Sequence, residues 1–185
     1  MSDRYHETLQ HWVLRTELVW AFGVGVLVAA TITIIVFTAL TRNINPPSNV
    51  ERVDPKTLHL SGEFAEQNLG TVVAADGTVT VRIIATQFMF APHCIAVPQG
   101  RLVTLRLASP DVIHGILVSG TNVNTMAVPG YVSQVHTVFR TTGDLLMPCH
   151  EFCGFGHSQM LARVRVVPAE QFRPDAGGRV SCTAR

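Results

Sequence analysis

The 185-residue sequence predicts a mainly β fold, a sandwich or barrel of short strands, set behind a single N-terminal transmembrane helix. Three observations carry that expectation. An uncharged apolar run extends from Leu18 to Leu40. Short β-branched runs, separated by Gly and Pro turns, recur between residues 78 and 167. Cysteine, histidine and methionine crowd into the stretch from Cys149 to Met160.

The apolar run LVWAFGVGVLVAATITIIVFTAL is flanked by Glu17 and Arg42. As a helix it reaches about 35 Å at ~1.5 Å per residue, enough for a hydrocarbon core of roughly 30 Å. A cleaved signal peptide has a shorter apolar core and a small-residue cleavage site soon after it. A buried core helix keeps a polar stripe, and this run has none. A retained anchor fits best. Residues 1–17 have apolar positions at helical spacing and extend the helix on its entering side, so residues 1–42 form one segment with a span at about 18–40. Arg4 and Arg15 before the span balance Arg42, Arg52 and Lys56 after it, so charge alone does not orient it.

Asn43 to Ser48 contains Pro46-Pro47 and reads as a break, because proline fixes φ and removes an amide donor. Residues 43–70 read as a linker resting loosely on the next domain. Strands are expected at Thr78–Ala85, Ile95–Val97, Leu102–Leu107, Gly115–Val118, Val132–Phe139 and Leu161–Val167, within a domain of residues 71–168. Residues 169–185 hold Gly177-Gly178 and few apolar side chains, and read as a flexible tail.

Composition excludes several classes. Apolar residues make up 47% and charged residues 15%, too apolar for a disordered chain. The formal net charge is +1, and thirteen Arg and one Lys form no cluster able to track a phosphate backbone, so no nucleic-acid partner is expected. Nucleotide-binding glycine loops, HExxH and GxSxG are absent.

The chemistry sits in Cys149-His150-Glu151-Phe152-Cys153-Gly154-Phe155-Gly156-His157-Ser158-Gln159-Met160. Thiolate, thioether and imidazole together select copper over hard cations. Cys153, His157 and Met160 have the spacing of a blue-copper loop between the last two strands of such a domain. His114, in Ser109-Pro110-Asp111-Val112-Ile113-His114-Gly115, is placed to supply a second imidazole from an earlier strand. One thiolate suffices for a mononuclear site, and Cys149 is then superfluous. Two cysteines four apart can instead bridge two copper ions. Each copper then takes one histidine, with Met160 and a carbonyl between the cysteines filling the remaining positions.

The loop resembles the binuclear CuA signature C-x-E-x-C-G-x-x-H-x-x-M, and the His114 segment resembles its companion strand. With the anchor, the Glu51-Arg52-Val53-Asp54-Pro55 linker and Gly120-Thr121-Asn122-Val123-Asn124, the chain resembles subunit II of haem–copper terminal oxidases, the cytochrome c oxidase family, in its single-span B-type branch. The resemblance covers most of residues 15–167. It implies a cupredoxin-like domain with His114, Cys149, Cys153, His157 and Met160 as side-chain ligands and Glu151 as a backbone-carbonyl ligand. It implies electrons arriving from a soluble cytochrome c or similar carrier and leaving to haem in a partner subunit I, where O2 is reduced to water. The copper domain then lies outside the cytoplasmic membrane of a bacterium or archaeon, with the N-terminus inside and lipid around the helix.

One departure concerns Glu151. Its carboxylate follows the A-type pattern, in which it also reaches Mg²⁺ at the subunit I interface, whereas B-type chains often carry Gln. A Mg²⁺ ligand and a plain surface acid are both open readings. Phe88, Asp111 and Phe155 are candidates for the electron-input surface; Asp111 also reads as a hydrogen-bond partner near His114 or a strand-end cap, and Phe88 as a core aromatic. Phe152 and Phe155 are expected to keep water from the loop. His6, His11, His59, His93 and His136 lack ligand-spaced partners, whereas His150 sits inside the loop but points opposite to its neighbours if the segment is extended, and reads as a surface or supporting residue rather than a ligand. Met89, Met126 and Met147 read as core fillers. Cys94 and Cys182 could pair in an oxidising compartment, but one lies in the domain and the other in the tail, so Cys94 reads as a packed free thiol and Cys182 stays open. Two other functions fit the residues: the CuA subunit of a membrane nitric oxide reductase, and a membrane-tethered copper chaperone. Beyond residue 60 there are eight acids and nine bases, so the docking face is expected to be apolar rather than acidic.

Overall fold

The computed structural model describes residues 2–42, 48–60 and 62–182. The chain divides into two compact units, residues 1–41 and 42–185.

The first unit is one helix, α1 (Ser2–Arg42), whose stretch Gln10–Thr41 is long and apolar enough to cross a membrane. The predicted span lies inside it. Its threonines do not interrupt the apolar surface, because Thr31, Thr33 and Thr38 donate their hydroxyls to the carbonyls of Leu27, Ala29 and Ile34 one turn back. A hydroxyl satisfied within its own helix costs little in lipid. The predicted break at Asn43 to Ser48 falls almost wholly at residues 43–47, outside the described residues.

The second unit is a β-sandwich. Its strands are β1 (Ser48–Arg52), β2 (Gly70–Val73), β3 (Val79–Thr86), β4 (Met89–Ala91), β5 (Cys94–Pro98), β6 (Leu102–Ala108), β7 (His114–Leu117), β8 (Asn124–Ala127), β9 (Tyr131–Val138), β10 (Gly143–Pro148), β11 (Leu161–Val167) and β12 (Arg179–Val180). One sheet runs β1-β9-β6-β3-β2-β12, with β4 beside β3. The other runs β10-β11-β5, and β7-β8 form a separate hairpin. The β3–β6 and β5–β11 pairs are parallel; the others are antiparallel. The six expected strands are all present, within two residues at either end.

Alternation places the core. Val79, Val81 and Ile83 of β3 and Leu105 and Leu107 of β6 face Ile95, Val97, Val164, Val166 and Met147 across the sandwich. Each buried aliphatic side chain contributes roughly 1.5–3 kcal/mol. Ile84 points the other way and is also buried, against Leu58, Phe64, Ala108 and Val132. The segment expected to be a loose linker therefore covers the second face of the large sheet. It is held by charge as well. Glu63 accepts from Arg82 at 2.9 Å and from Arg106 at 2.6 Å, and Arg106 also reaches Glu51 at 2.7 Å. Burial works against the Glu63 charge, but Arg106 and Arg82 hold its carboxyl below the usual range.

The tail corrects a second expectation. Phe172 is buried in the main core, β12 pairs with β2, and Cys182 forms a disulfide with Cys94. Cys94 is thus not a free thiol, and residues 169–182 are not a loose end. The anchoring residues are isolated ones in a polar stretch, which composition does not reveal.

Candidate metal centre

The Cys149–Met160 loop joins β10 to β11 and is closed at its base, where the Cys149 amide donates to the Met160 carbonyl at 3.0 Å. A short 3-10 turn over His157–Gln159 lifts His157 back toward the cysteines. His114 begins β7, and β7 is tied to the loop by the His150 amide donating to the Gly115 carbonyl at 3.2 Å. Gly115 permits that approach, since a Cβ there would lie 1.8 Å from His150 Nδ1 and 2.6 Å from the Glu151 nitrogen.

These local constraints bring the donors together. Cys149 Sγ and Cys153 Sγ are 3.8 Å apart, and both side chains are buried. Cys153 Sγ lies 3.7 Å from His157 Nδ1 and 3.7 Å from Met160 Sδ. The Glu151 carbonyl oxygen is 3.2 Å from Cys149 Sγ. One ligand atom each from His114, Cys149 and Cys153 fall within 4.8 Å of one another.

His114 is fully buried, and its two ring nitrogens differ. Nε2 is 2.9 Å from Asp111 Oδ1, whereas Nδ1 has no hydrogen-bond partner. A buried ring nitrogen with no partner, on a histidine grouped with two thiols, is an unsatisfied polar atom, the condition a metal relieves. The Cys153 thiol is pushed up to about 11, by burial first and then by the neighbouring Cys149 thiol. Without a metal the site therefore keeps that proton.

A family profile for the periplasmic domain of cytochrome c oxidase subunit II matches residues 74–167. A cytochrome c oxidase subunit 2 from Thermus thermophilus is 36% identical over 157 residues, covering 83% of this chain and 93% of that protein. The chain belongs to the cytochrome c oxidase subunit II family. A second Thermus thermophilus subunit 2 is 37% identical over 126 residues, covering 68% of this chain and 93% of that one. Among solved structures, a chain of a haem–copper terminal oxidase dimer superposes with a TM-score of 0.63 at 30% identity, over 83% of this chain and 98% of that one. Subunit II membership implies copper and an oxidoreductase complex with an oxidase partner subunit. The mainly β domain matched by the periplasmic-domain profile and the N-terminal apolar helix fit a membrane-anchored subunit.

The donor set fits copper in kind: two thiols, a thioether and imidazole, buried and mutually close, with no carboxylate among the nearest donors. His150 lies outside it, with Nε2 2.6 Å from Asn124 Oδ1. Glu151 keeps its side chain half-buried at the rim, close to Phe152 and Ile113.

The expected electron-input residues differ in place. Phe88 packs against the loop, its ring occupying the space a Cβ on Gly154 or Gly156 would need, at 2.9 and 2.6 Å. Phe155 is wholly exposed, and so does not screen the site from water within this chain. Phe152, 77% exposed, meets His157 edge-on with ring centroids 5.8 Å apart. Met147 fills the core as expected, but Met89 and Met126 are exposed, because their strand positions face outward.

Sequence reasoning missed Gln87, whose side-chain amide donates to the Cys153 carbonyl at 2.5 Å across 66 residues of chain. It also left Asp111 among several roles. The carboxylate bonds His114 directly, and its charge is well stabilised: burial opposes it, but His114, the Gln87 and Val112 amides and Thr86 hold it far below the usual carboxylate range.

Proposed function

We propose that this chain is the electron-input subunit of a respiratory haem–copper oxidase. Electrons from a soluble cytochrome c or similar carrier enter at a binuclear copper pair and leave to haem in subunit I, where O2 is reduced to water. Cys149, Cys153, His114, His157, Met160 and the Glu151 carbonyl would hold the pair. The observation that carries this reading is the 3.8 Å sulfur pair, with His157 and Met160 beside Cys153, the Glu151 carbonyl beside Cys149 and His114 grouped with both, in a member of the subunit II family.

Copper, when bound, supplies reversible one-electron transfer. The protein's part is to hold the donors still. The backbone closure at Cys149–Met160 sets the loop's base, and the Gly115 contact sets the distance to His114. A preset cage lowers the rearrangement between oxidation states, which favours rapid transfer over chemistry on a substrate.

The rim around the site is apolar. Ile113, Met126, Phe152 and Phe155 are exposed beside the loop. That surface suits a carrier with an exposed apolar edge, and reduction should depend only weakly on ionic strength. With the copper domain outside, α1 runs from the cytoplasmic side outward. Glu151 offers one hard oxygen to a Mg²⁺ whose other ligands would come from subunit I.

The deciding experiment purifies the full chain with its partner subunits and counts metals, then follows reduction by stopped flow. The expected result is two coppers per chain, a delocalised mixed-valence resonance, and copper reduced before haem by reduced cytochrome c. One copper or zinc per chain sinks the binuclear reading. Cu(I) held without colour favours a chaperone, and turnover of nitric oxide in place of O2 reassigns the complex.

A further inference from the structure

We propose that Asp111 is a positioning residue that fixes two parts of the copper site at once: the ring nitrogen His114 presents, and the Gln87–Phe88 segment that closes over the cysteine loop. The second part rests on the copper reading; the first stands on the metal-free chain.

The two carboxylate oxygens serve different elements. Oδ1 lies 2.9 Å from His114 Nε2 and accepts from the Val112 amide at 2.6 Å and the Ser109 hydroxyl at 3.0 Å. Oδ2 accepts from the Gln87 amide at 2.7 Å and the Thr86 hydroxyl at 2.8 Å. An ionised carboxylate only accepts, so His114 Nε2 must carry the proton. In the neutral ring the lone pair is then on Nδ1, the buried atom with no partner. The carboxylate thereby selects which nitrogen the metal meets.

The Oδ2 side reaches the loop indirectly. Thr86 ends β3, and the backbone held at Gln87 carries two contacts to the cysteine loop. The Gln87 side chain donates to the Cys153 carbonyl, and the Phe88 ring fills the space above Gly154 and Gly156. Four donors besides Ser109, whose one hydroxyl hydrogen also faces the Val112 carbonyl at 2.6 Å, already occupy Asp111, which leaves it poorly suited to a carrier's cationic rim and well suited to internal positioning.

Three variants of the full-length chain in detergent separate the two halves. In Asp111→Asn, an amide oxygen at the Oδ1 position keeps His114 and Val112, and its NH2 opposes only the Gln87 N–H; the reverse orientation opposes two donors. Asp111→Asn therefore loosens the Gln87–Phe88 segment while keeping the histidine. Asp111→Ala loses both, and Gln87→Ala loses only the loop contact.

Nitrogen NMR of metal-free protein should show His114 as the Nε2–H tautomer in wild type, Asp111→Asn and Gln87→Ala, and mixed tautomers in Asp111→Ala. Amide exchange at residues 153–156 should quicken in all three variants. In copper-loaded protein, Asp111→Ala should change the hyperfine coupling of one histidine nitrogen and leave the other, and release copper to a chelator about 10–100-fold faster, the usual scale for a ligand's supporting partner. An Nδ1–H tautomer in the wild type overturns the histidine half. Unchanged exchange in Asp111→Asn and Gln87→Ala overturns the loop half. Equal changes at both histidines mean general loosening and overturn the positioning role. A wild-type chain that holds no copper pair sinks the copper reading instead, while the tautomer still decides Asp111; if Asp111→Ala does not fold, the other two variants carry the test.

Discussion

Cys149 Sγ and Cys153 Sγ lie 3.8 Å apart, four residues from each other and both buried. The separation is too long for a disulfide, which needs about 2.05 Å, and short enough for both sulfurs to share metal ions. Cys149→Ser should lower copper from two to at most one per chain and abolish the mixed-valence resonance. Metal analysis with electron paramagnetic resonance checks it, and an unchanged spectrum removes Cys149 from the ligands.

Met160 lies beside Cys153, with its sulfur 3.7 Å away and its side chain buried. A thioether is a weak donor that tunes more than it holds. Met160→Leu should leave copper content unchanged and raise the reduction potential, since the oxidised ion loses a donor. Protein-film voltammetry reads the shift; identical potentials would count against ligation.

Copper uptake should depend on pH. The buried Cys153 thiol, raised to about 11, stays protonated throughout the neutral range, so binding must expel that proton. Affinity should therefore rise with pH, by about tenfold per unit for each proton displaced. Competition with a chelator across about pH 6 to 8 measures the slope, and a flat profile would show that the thiol proton is retained.

Gly115→Ala should disturb the site without removing a ligand. The new Cβ would meet His150 Nδ1 at 1.8 Å and the Glu151 nitrogen at 2.6 Å, and the latter is backbone that cannot swing aside. The expected cost is about 1–3 kcal/mol of stability, with weaker copper retention. Denaturant melts with and without copper should show the difference growing in the loaded protein.

Cys182→Ser should act on stability alone. The Cys94–Cys182 bond spans 88 residues and ties the end of the described chain to β5, and neither cysteine is among the grouped donors. Its loss should cost about 2–4 kcal/mol and leave the copper spectrum as it was. A changed spectrum would mean that the tail supports the site.

The long apolar helix and the loop of clustered sulfur and imidazole donors were legible because each is written locally. A 23-residue apolar run needs no neighbours to declare itself, and Cys149, Cys153, His157 and Met160 sit within 12 residues whose spacing constrains their reach. The covering segment was not. Leu58 and Phe64 are two apolar residues in a charged stretch, and only the second buried face of β3, at Ile84, shows why they are needed. The adjacent pair Ile83-Ile84, which breaks strict alternation, was the available signal.

The amino-acid order alone determined the chain's donor inventory, its anchor and its pattern of strands, because these depend on composition and near-neighbour periodicity. Only the folded chain decided which nitrogen of His114 is left open, that Gln87 holds the Cys153 carbonyl, and that Cys94 meets Cys182. Those contacts join residues that strand pairing and loop packing bring together, and no local periodicity encodes their distance or orientation.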